Sequence, residues 1–174
     1  MKNETLEVLK NRRAIRKYRP EQIGEEELRA VLEAGTYAPT GTGSQGVRIV
    51  AVQNAEDVAA LNELNAKILN SPKAQPYYGA PTILLIFETE QCVTHELDGA
   101  AVCTNMLNAA YAVGLGSCWI HRCRQMFETE EGQALLRKWG LNEKLTGVAS
   151  IALGYADGPH PEAKPRKADY IVRV

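Results

Sequence analysis

Arg12, Arg13, Arg16, Lys17 and Arg19 place five cations within eight residues of a chain whose formal net charge is -1. Like charges this close repel one another unless an anion or solvent offsets them. A second basic group, Lys164, Arg166 and Lys167, lies towards the other end of the chain among prolines, where extended backbone can lay side chains across a surface. Arginine's planar fork holds a phosphate through two hydrogen bonds and lysine adds a point charge. A phosphomonoester clamped between the two ends of the chain is therefore the chemistry these residues fit. The plain alternative is two patches of solvated surface charge.

Other sequence patterns carry less. Gly41-Thr42-Gly43-Ser44-Gln45-Gly46 matches G-x-G-x-x-G, but that fingerprint grips a pyrophosphate only after a strand and at the opening of a helix. Here a helical pattern precedes it and a strand pattern follows. What remains is a loop of small side chains, either a plain turn or a place where a planar ligand can approach the backbone. Cys118, His121 and Cys123, with Cys92 and His95, would offer zinc one C-x4-C and one C-x2-H unit, a poor match to the paired spacings of structural sites. No metal site is expected. Cys103 falls in an apolar helix, and no base can be assigned to the other thiols, so the cysteines read as core. His121 beside Arg122 could donate to an anionic ligand or simply be exposed at a strand end.

These residues need a scaffold. Apolar spacing predicts surface helices over residues 5–11 and 25–37, a loop at 39–43, a strand at 47–52, a helix at 56–69 and a loop at 70–79. The almost unbroken apolar run at 81–87 is a strand covered on both faces. Residues 97–113 are apolar nearly all round, a helix needing cover on most sides, and a second copy of the chain would supply it. A short strand at 117–120, a helix at 130–139 and a β-rich run at 146–153 follow, giving the order ααβαβαβαβ. Residues 157–169 show no period, and 170–174 alternate like a strand that docks elsewhere.

With 174 residues, 45% of them hydrophobic and 24% charged, the chain suits one domain over residues 1–174, with 155–174 as an extended C-terminal arm. The nearly neutral balance gives no global attraction to nucleic acid or anionic membranes. A basic arm at residues 12–19 for RNA or DNA is disfavoured by the acidic remainder and by only 6% aromatics. The longest apolar window, residues 99–115, is interrupted by Thr104, Asn105 and Asn108, so no membrane span is expected. The N-terminus lacks the apolar core of a signal peptide, which points to a reducing cytoplasm and free thiols.

Taken in order, several segments resemble the nitroreductase family of flavin enzymes. They are Arg12-Arg13-Ala14-Ile15-Arg16, Ala38-Pro39-Thr40-Gly41 with Ser44-Gln45, Gly79-Ala80-Pro81 before the buried strand, the apolar helix leading to Gly114-Leu115-Gly116-Ser117-Cys118-Trp119-Ile120, Leu153-Gly154-Tyr155, and Lys164-Pro165-Arg166. The resemblance spans almost the whole chain. It implies an α+β fold with a central, mostly antiparallel sheet flanked by helices, and a homodimer exchanging its C-terminal strands with FMN at the interface. It also implies NAD(P)H as co-substrate, small acceptors such as nitroaromatics, quinones or free flavin, and a ping-pong cycle. A flavin-binding protein for storage or sensing, without turnover, would use the same clamp.

By the same resemblance, Arg12, Arg13, Ala14, Lys164 and Arg166 lie towards the ribityl phosphate and Arg16 towards the pyrimidine edge of the flavin. Pro39, Thr40, Gly41 and Gln45 contact the rings from the other subunit, while Ile120, His121 and Arg122 pass the N5 and O4 edge through their backbone. No side chain need be catalytic, since the flavin carries the redox step. The chain departs from the family's common residues at Ala14 (often serine), Gly43 (asparagine), Gly46-Val47 (proline and a bulky residue) and His121 (glycine).

Overall fold

The buried apolar run decides the architecture. In the computed structural model, which describes residues 2–174, every residue of β2 (Thr82–Glu88) is buried. It is flanked by β1 (Val47–Val52) and β4 (Thr146–Gly154), with β3 (Gly116–Ile120) beyond β4; the order is β1-β2-β4-β3 and every pairing is antiparallel. Side chains alternate across a pleated strand. Ile83, Leu85 and Phe87 therefore face one layer, and Leu84 and Ile86 the other.

The first layer holds α3 (Ala55–Ile68), α5 (Cys123–Phe127) and α6 (Glu130–Lys138). Phe127 from α5 meets Phe87 edge-to-face, with ring centroids 4.8 Å apart, a geometry that suits the aromatic quadrupole. The second layer holds α2 (Glu25–Thr36) and α4 (Glu96–Ala112). Gly99 lets α4 lie close against β4, because a Cβ there would sit 2.8 Å from the Val148 methyls. The α+β expectation, the antiparallel sheet and the two-sided burial of the central strand all hold.

One reading changes, and two expected surfaces stand open in a single chain. Helix α5 interrupts a stretch read as having no element, so the order is ααβαβαβααβ; five residues make too little of a repeat to reveal a helical period. Residues 170–174 form no strand within the chain: Tyr170, Ile171 and Val172 are each more than three-quarters exposed, since alternation makes a strand only where a ladder partner exists. Helix α4 buries Val102, Cys103, Met106, Leu107 and Ala110 yet leaves Leu97 and Thr104 exposed, with Ala101 and Asn108 half-buried along the same face. One chain covers only part of it. No helix among the described residues is long and apolar enough to cross a membrane.

Helices α3 and α6 are joined at Asp57, which accepts from Lys138 Nζ at 2.6 Å and Trp139 Nε1 at 2.9 Å. The Lys138 hydrogen bond, then that of Trp139, holds the Asp57 carboxyl below its ordinary range. Asp57→Ala leaves the indole N–H without its acceptor and should cost about 1–3 kcal/mol at neutral pH, read from urea denaturation. A lowered folded-state pKa stabilises above the unfolded value of about 4 and fades as pH falls through the folded one, so the deficit should shrink in acid.

Candidate functional site

The N-terminal cations sit on a segment stitched to the sheet's edge. After α1 (Glu4–Asn11), Arg12 caps the helix C-terminus and Ala14 bridges Ser117 in parallel. Ile15 N–H donates to Ser117 O at 3.0 Å. Tyr18, buried beside Ile15, donates through its hydroxyl to Ile15 O and Ala152 O at 2.8 and 3.1 Å. The register that buries Ile15 and Tyr18 turns Arg16, Lys17 and Arg19 outward. Lys17 pairs with Asp157 at 2.6 Å. Among the described residues, Arg12, Arg13, Arg16 and Arg19 have no carboxylate within 4 Å. Arg13 donates instead to the backbone oxygens of Lys10 and Arg12, both at 2.7 Å. Arg12 and Arg13 are half-buried, so their charge is only partly screened by water.

The tail returns to this corner at one point. A ring nitrogen of His160 lies 2.7 Å from Asn11 O, and its ring leans on Tyr111 with centroids 5.3 Å apart. Beyond it Lys164 and Arg166 are exposed, and Arg166 donates to Lys164 O at 3.1 and 2.6 Å. The two chain ends therefore meet through His160, with the tail's cations exposed beyond it.

A second candidate element, the loop with Pro39, Thr40, Gly41 and Gln45, is fixed at the far end of α4. Gly41 N–H donates to both carboxylate oxygens of Asp98 at 3.0 and 3.2 Å and to Thr94 Oγ1 at 3.2 Å. Thr94 and Cys92 also donate to Asp98, the latter at 3.4 Å. A Cβ on Gly41 would fall 2.3 Å from Thr94 Oγ1, so a side chain there would displace Thr94 from its hydrogen bonds. The Thr94 hydroxyl, and after it the Gly41 amide and Cys92 thiol, keep the Asp98 carboxyl below its usual range despite burial. Thr40 Oγ1 accepts from Gln45 N–H at 3.1 Å, and Thr42 and Gln45 take φ of 57° and 51°. The loop thus stands in a strained shape over a small cleft lined by Ala38, Thr40, Gln45, Val47 and Val102.

The third element is the exit from β3. Ile120 is buried, His121 exposed and Arg122 half-buried with φ 78° and ψ 10°. Arg122 Nε donates to Asn65 Oδ1 at 2.7 Å, and Asn65 Nδ2 donates to His121 O at 3.2 Å.

Asp98 and Tyr111 are thirteen positions apart on α4, about 20 Å at a helical rise of about 1.5 Å per residue. One chain therefore holds the Gly41 loop and the arginine corner at opposite ends of the same helix. Asp98, Asn65 and His160 escaped the sequence reading, because each acts through a partner remote in sequence; an acidic residue opening α4 and an asparagine inside an apolar helical face were the available signals.

The thiols are inert by environment. Burial raises the pKa values of Cys92, Cys103, Cys118 and Cys123, the last to about 12, so none is a thiolate near neutrality. All four are free and buried. Among the described residues no group of three or more His, Cys, Asp or Glu could hold a metal ion.

The Nitroreductase family pattern matches residues 9–155. A nitroreductase with bound FMN from Bacteroides fragilis superimposes with a TM-score of 0.91 at 33% identity, covering 99% of this chain and 100% of that one. An FMN-dependent nitroreductase from Clostridium difficile gives 0.79 at 26% identity, covering 99% of each. An NADPH-flavin oxidoreductase from Vibrio harveyi is 28% identical over 98% of this chain and 72% of its own length.

Asp98→Ala should free the Gly41 loop and lower stability by about 1–3 kcal/mol. The expected result is faster proteolysis between residues 39 and 46 at neutral pH. Because the Asp98 pKa is lowered in the fold, its contribution is complete above about pH 4 and fades below it; wild type and variant should converge in acid denaturation.

Proposed function

The chain belongs to the nitroreductase family, and from that premise we propose that it is an FMN-dependent oxidoreductase working as a homodimer with NADH or NADPH as donor. The observation that carries this reading is the corner beside β3, where Arg12, Arg13, Arg16 and Arg19 gather without a carboxylate partner among the described residues. Two buried polar groups on the same face of that strand, Ser117 Oγ and Trp119 Nε1, also lack a partner among the described residues. This donor set, rich in guanidinium and poor in acceptors, fits a phosphorylated, acceptor-rich ligand.

When bound, FMN would supply the redox chemistry, hydride and electron transfer between NAD(P)H and an acceptor such as a nitroaromatic, quinone or free flavin, in a ping-pong order. The protein's residues bind and orient. Arg12 and Arg13 hold the phosphate, Ala14 brings the backbone close beside them, and Arg16 places positive charge where electron density collects on reduction. Ile120, His121 and Arg122 offer backbone polar groups along the ring edge. Lys164 and Arg166, exposed on a tail anchored at His160, close over the phosphate.

Pro39, Thr40, Gly41 and Gln45 reach the rings from the second protomer. A separation of about 20 Å along α4 keeps them from the same chain's arginine corner, and the open face of α4 at Leu97, Ala101, Thr104 and Asn108 suits a second copy. The exposed tail, with Tyr170, Ile171 and Val172 uncovered, suits strand exchange.

Purified protein should be yellow, and light scattering should report twice the 19.1 kDa chain mass. Replacing Arg12 and Arg166 together by alanine should weaken FMN binding by about tenfold or more per arginine lost without splitting the dimer, as followed by flavin fluorescence. Steady NAD(P)H oxidation with menadione or a nitrofuran tests turnover; bound FMN without it would leave a flavin carrier. Unchanged FMN affinity in the double variant would overturn the phosphate site.

A further inference from the structure

We propose that Asn65, remote in sequence from every candidate ligand contact, is the positioning residue that sets the backbone of residues 120–122 for the flavin edge. The proposal rests on the FMN reading above. Asn65 is fully buried in α3, and its hydrogen bonds run in one direction only. Ser150 Oγ donates to Ile120 O at 3.2 Å, which leaves the Tyr77 hydroxyl, 3.0 Å away, to donate to Ser150 Oγ. Tyr77 then accepts from Asn65 Nδ2 at 3.3 Å, the second Nδ2 proton goes to His121 O at 3.2 Å, and Oδ1 accepts from Arg122 Nε at 2.7 Å. Turning the amide over would set Nδ2 against the guanidinium and Oδ1 against a carbonyl, so the surroundings fix its orientation. Met126 Sδ, 3.6 Å from the Tyr77 hydroxyl, is the remaining neighbour of that chain.

The relay grips two successive carbonyls, at Ile120 and His121, from the α3 layer. It also holds Arg122 in a left-handed conformation that L residues other than glycine and asparagine seldom adopt. Among the described residues the N–H groups of His121 and Arg122 have no hydrogen-bond acceptor. The strand exit thus has its acceptors tied inward and its donors uncommitted, the arrangement a ring edge rich in acceptors requires. A structural tether alone would not need a strained arginine backbone at this point. Second-layer hydrogen bonds of this kind decide whether contact groups stand in productive geometry.

The test compares wild type, Asn65→Ala, the milder Tyr77→Phe and the double variant Asn65→Ala with Arg122→Gly. In protein freed of FMN, hydrogen exchange at the Met126 amide, which donates to Arg122 O at 2.9 Å, should quicken in both single variants. In the FMN-loaded enzyme, anaerobic flavin reduction by NADPH should slow by about tenfold to a hundredfold in Asn65→Ala. The reduction potential should move as well, and Tyr77→Phe should fall between. Glycine holds a positive φ unaided, so Arg122→Gly should restore part of the rate lost in Asn65→Ala. A folded, FMN-loaded Asn65→Ala with wild-type reduction rate and potential, changed only in melting temperature, would overturn the proposal. If Asn65→Ala does not fold, wild-type behaviour of Tyr77→Phe does the same. Wild-type protein that takes up no FMN would remove the flavin reading and this one with it.

Discussion

A seven-residue strand with no exposed side chain must be roofed on both faces, and β2 imposes that demand on everything around it. Its alternate residues require two separate apolar layers, supplied by α3, α5 and α6 on one side and by α2 and α4 on the other. Its two ladder edges require β1 and β4, and pairing β3 to the outer edge of β4 leaves one more edge open. The N-terminal segment takes up that edge at Ala14 and Ile15. The arginines stand beside β3 because burial of Ile15 and Tyr18 sets the register there, so apolar contacts place the charges.

Burial on this scale makes polar groups inside the layers costly unless they are hydrogen-bonded. The chain uses the satisfied ones to shape its candidate contact segments. Asp98 binds the Gly41 amide and thereby the loop at the head of α4, while Asn65, Tyr77 and Ser150 bind the exit of β3. Both arrangements stabilise strained backbone, at Thr42 and Gln45 in one and Arg122 in the other. Among the described residues, the buried side-chain atoms without a hydrogen-bond partner are Ser44 Oγ in the Gly41 loop, Ser117 Oγ and Trp119 Nε1 on β3, and Glu88 Oε2 at the end of β2. Helix α4 holds the loop and the arginine corner apart within one chain, and its face at Leu97, Ala101, Thr104 and Asn108 stays partly open; the proposed second protomer would bring the two together.

Much of this could be read before any fold was known. The helical periods and the central strand depend on neighbours in sequence, and their positions hold to within a residue or so. The arginine cluster stood out because so many like charges in a nearly neutral chain need an explanation. Helix α5 was hidden by its brevity. The tail is a different case: Tyr170 to Val174 alternate as a strand does, and the ladder partner a strand requires is not supplied within a single chain.

Local chemistry along the chain thus established the elements, the apolar strand at their centre and the identity of the charged corner, since periodicity and charge density are properties of adjacent residues. Which buried side chains would orient that corner and its companion segments was settled by folding alone. Asp98 finds Gly41, Asn65 finds Arg122 and His160 finds Asn11 across 57, 57 and 149 positions. Hydrogen bonds of that span have no signature in sequence, because their donors and acceptors become neighbours only when the layers close over β2.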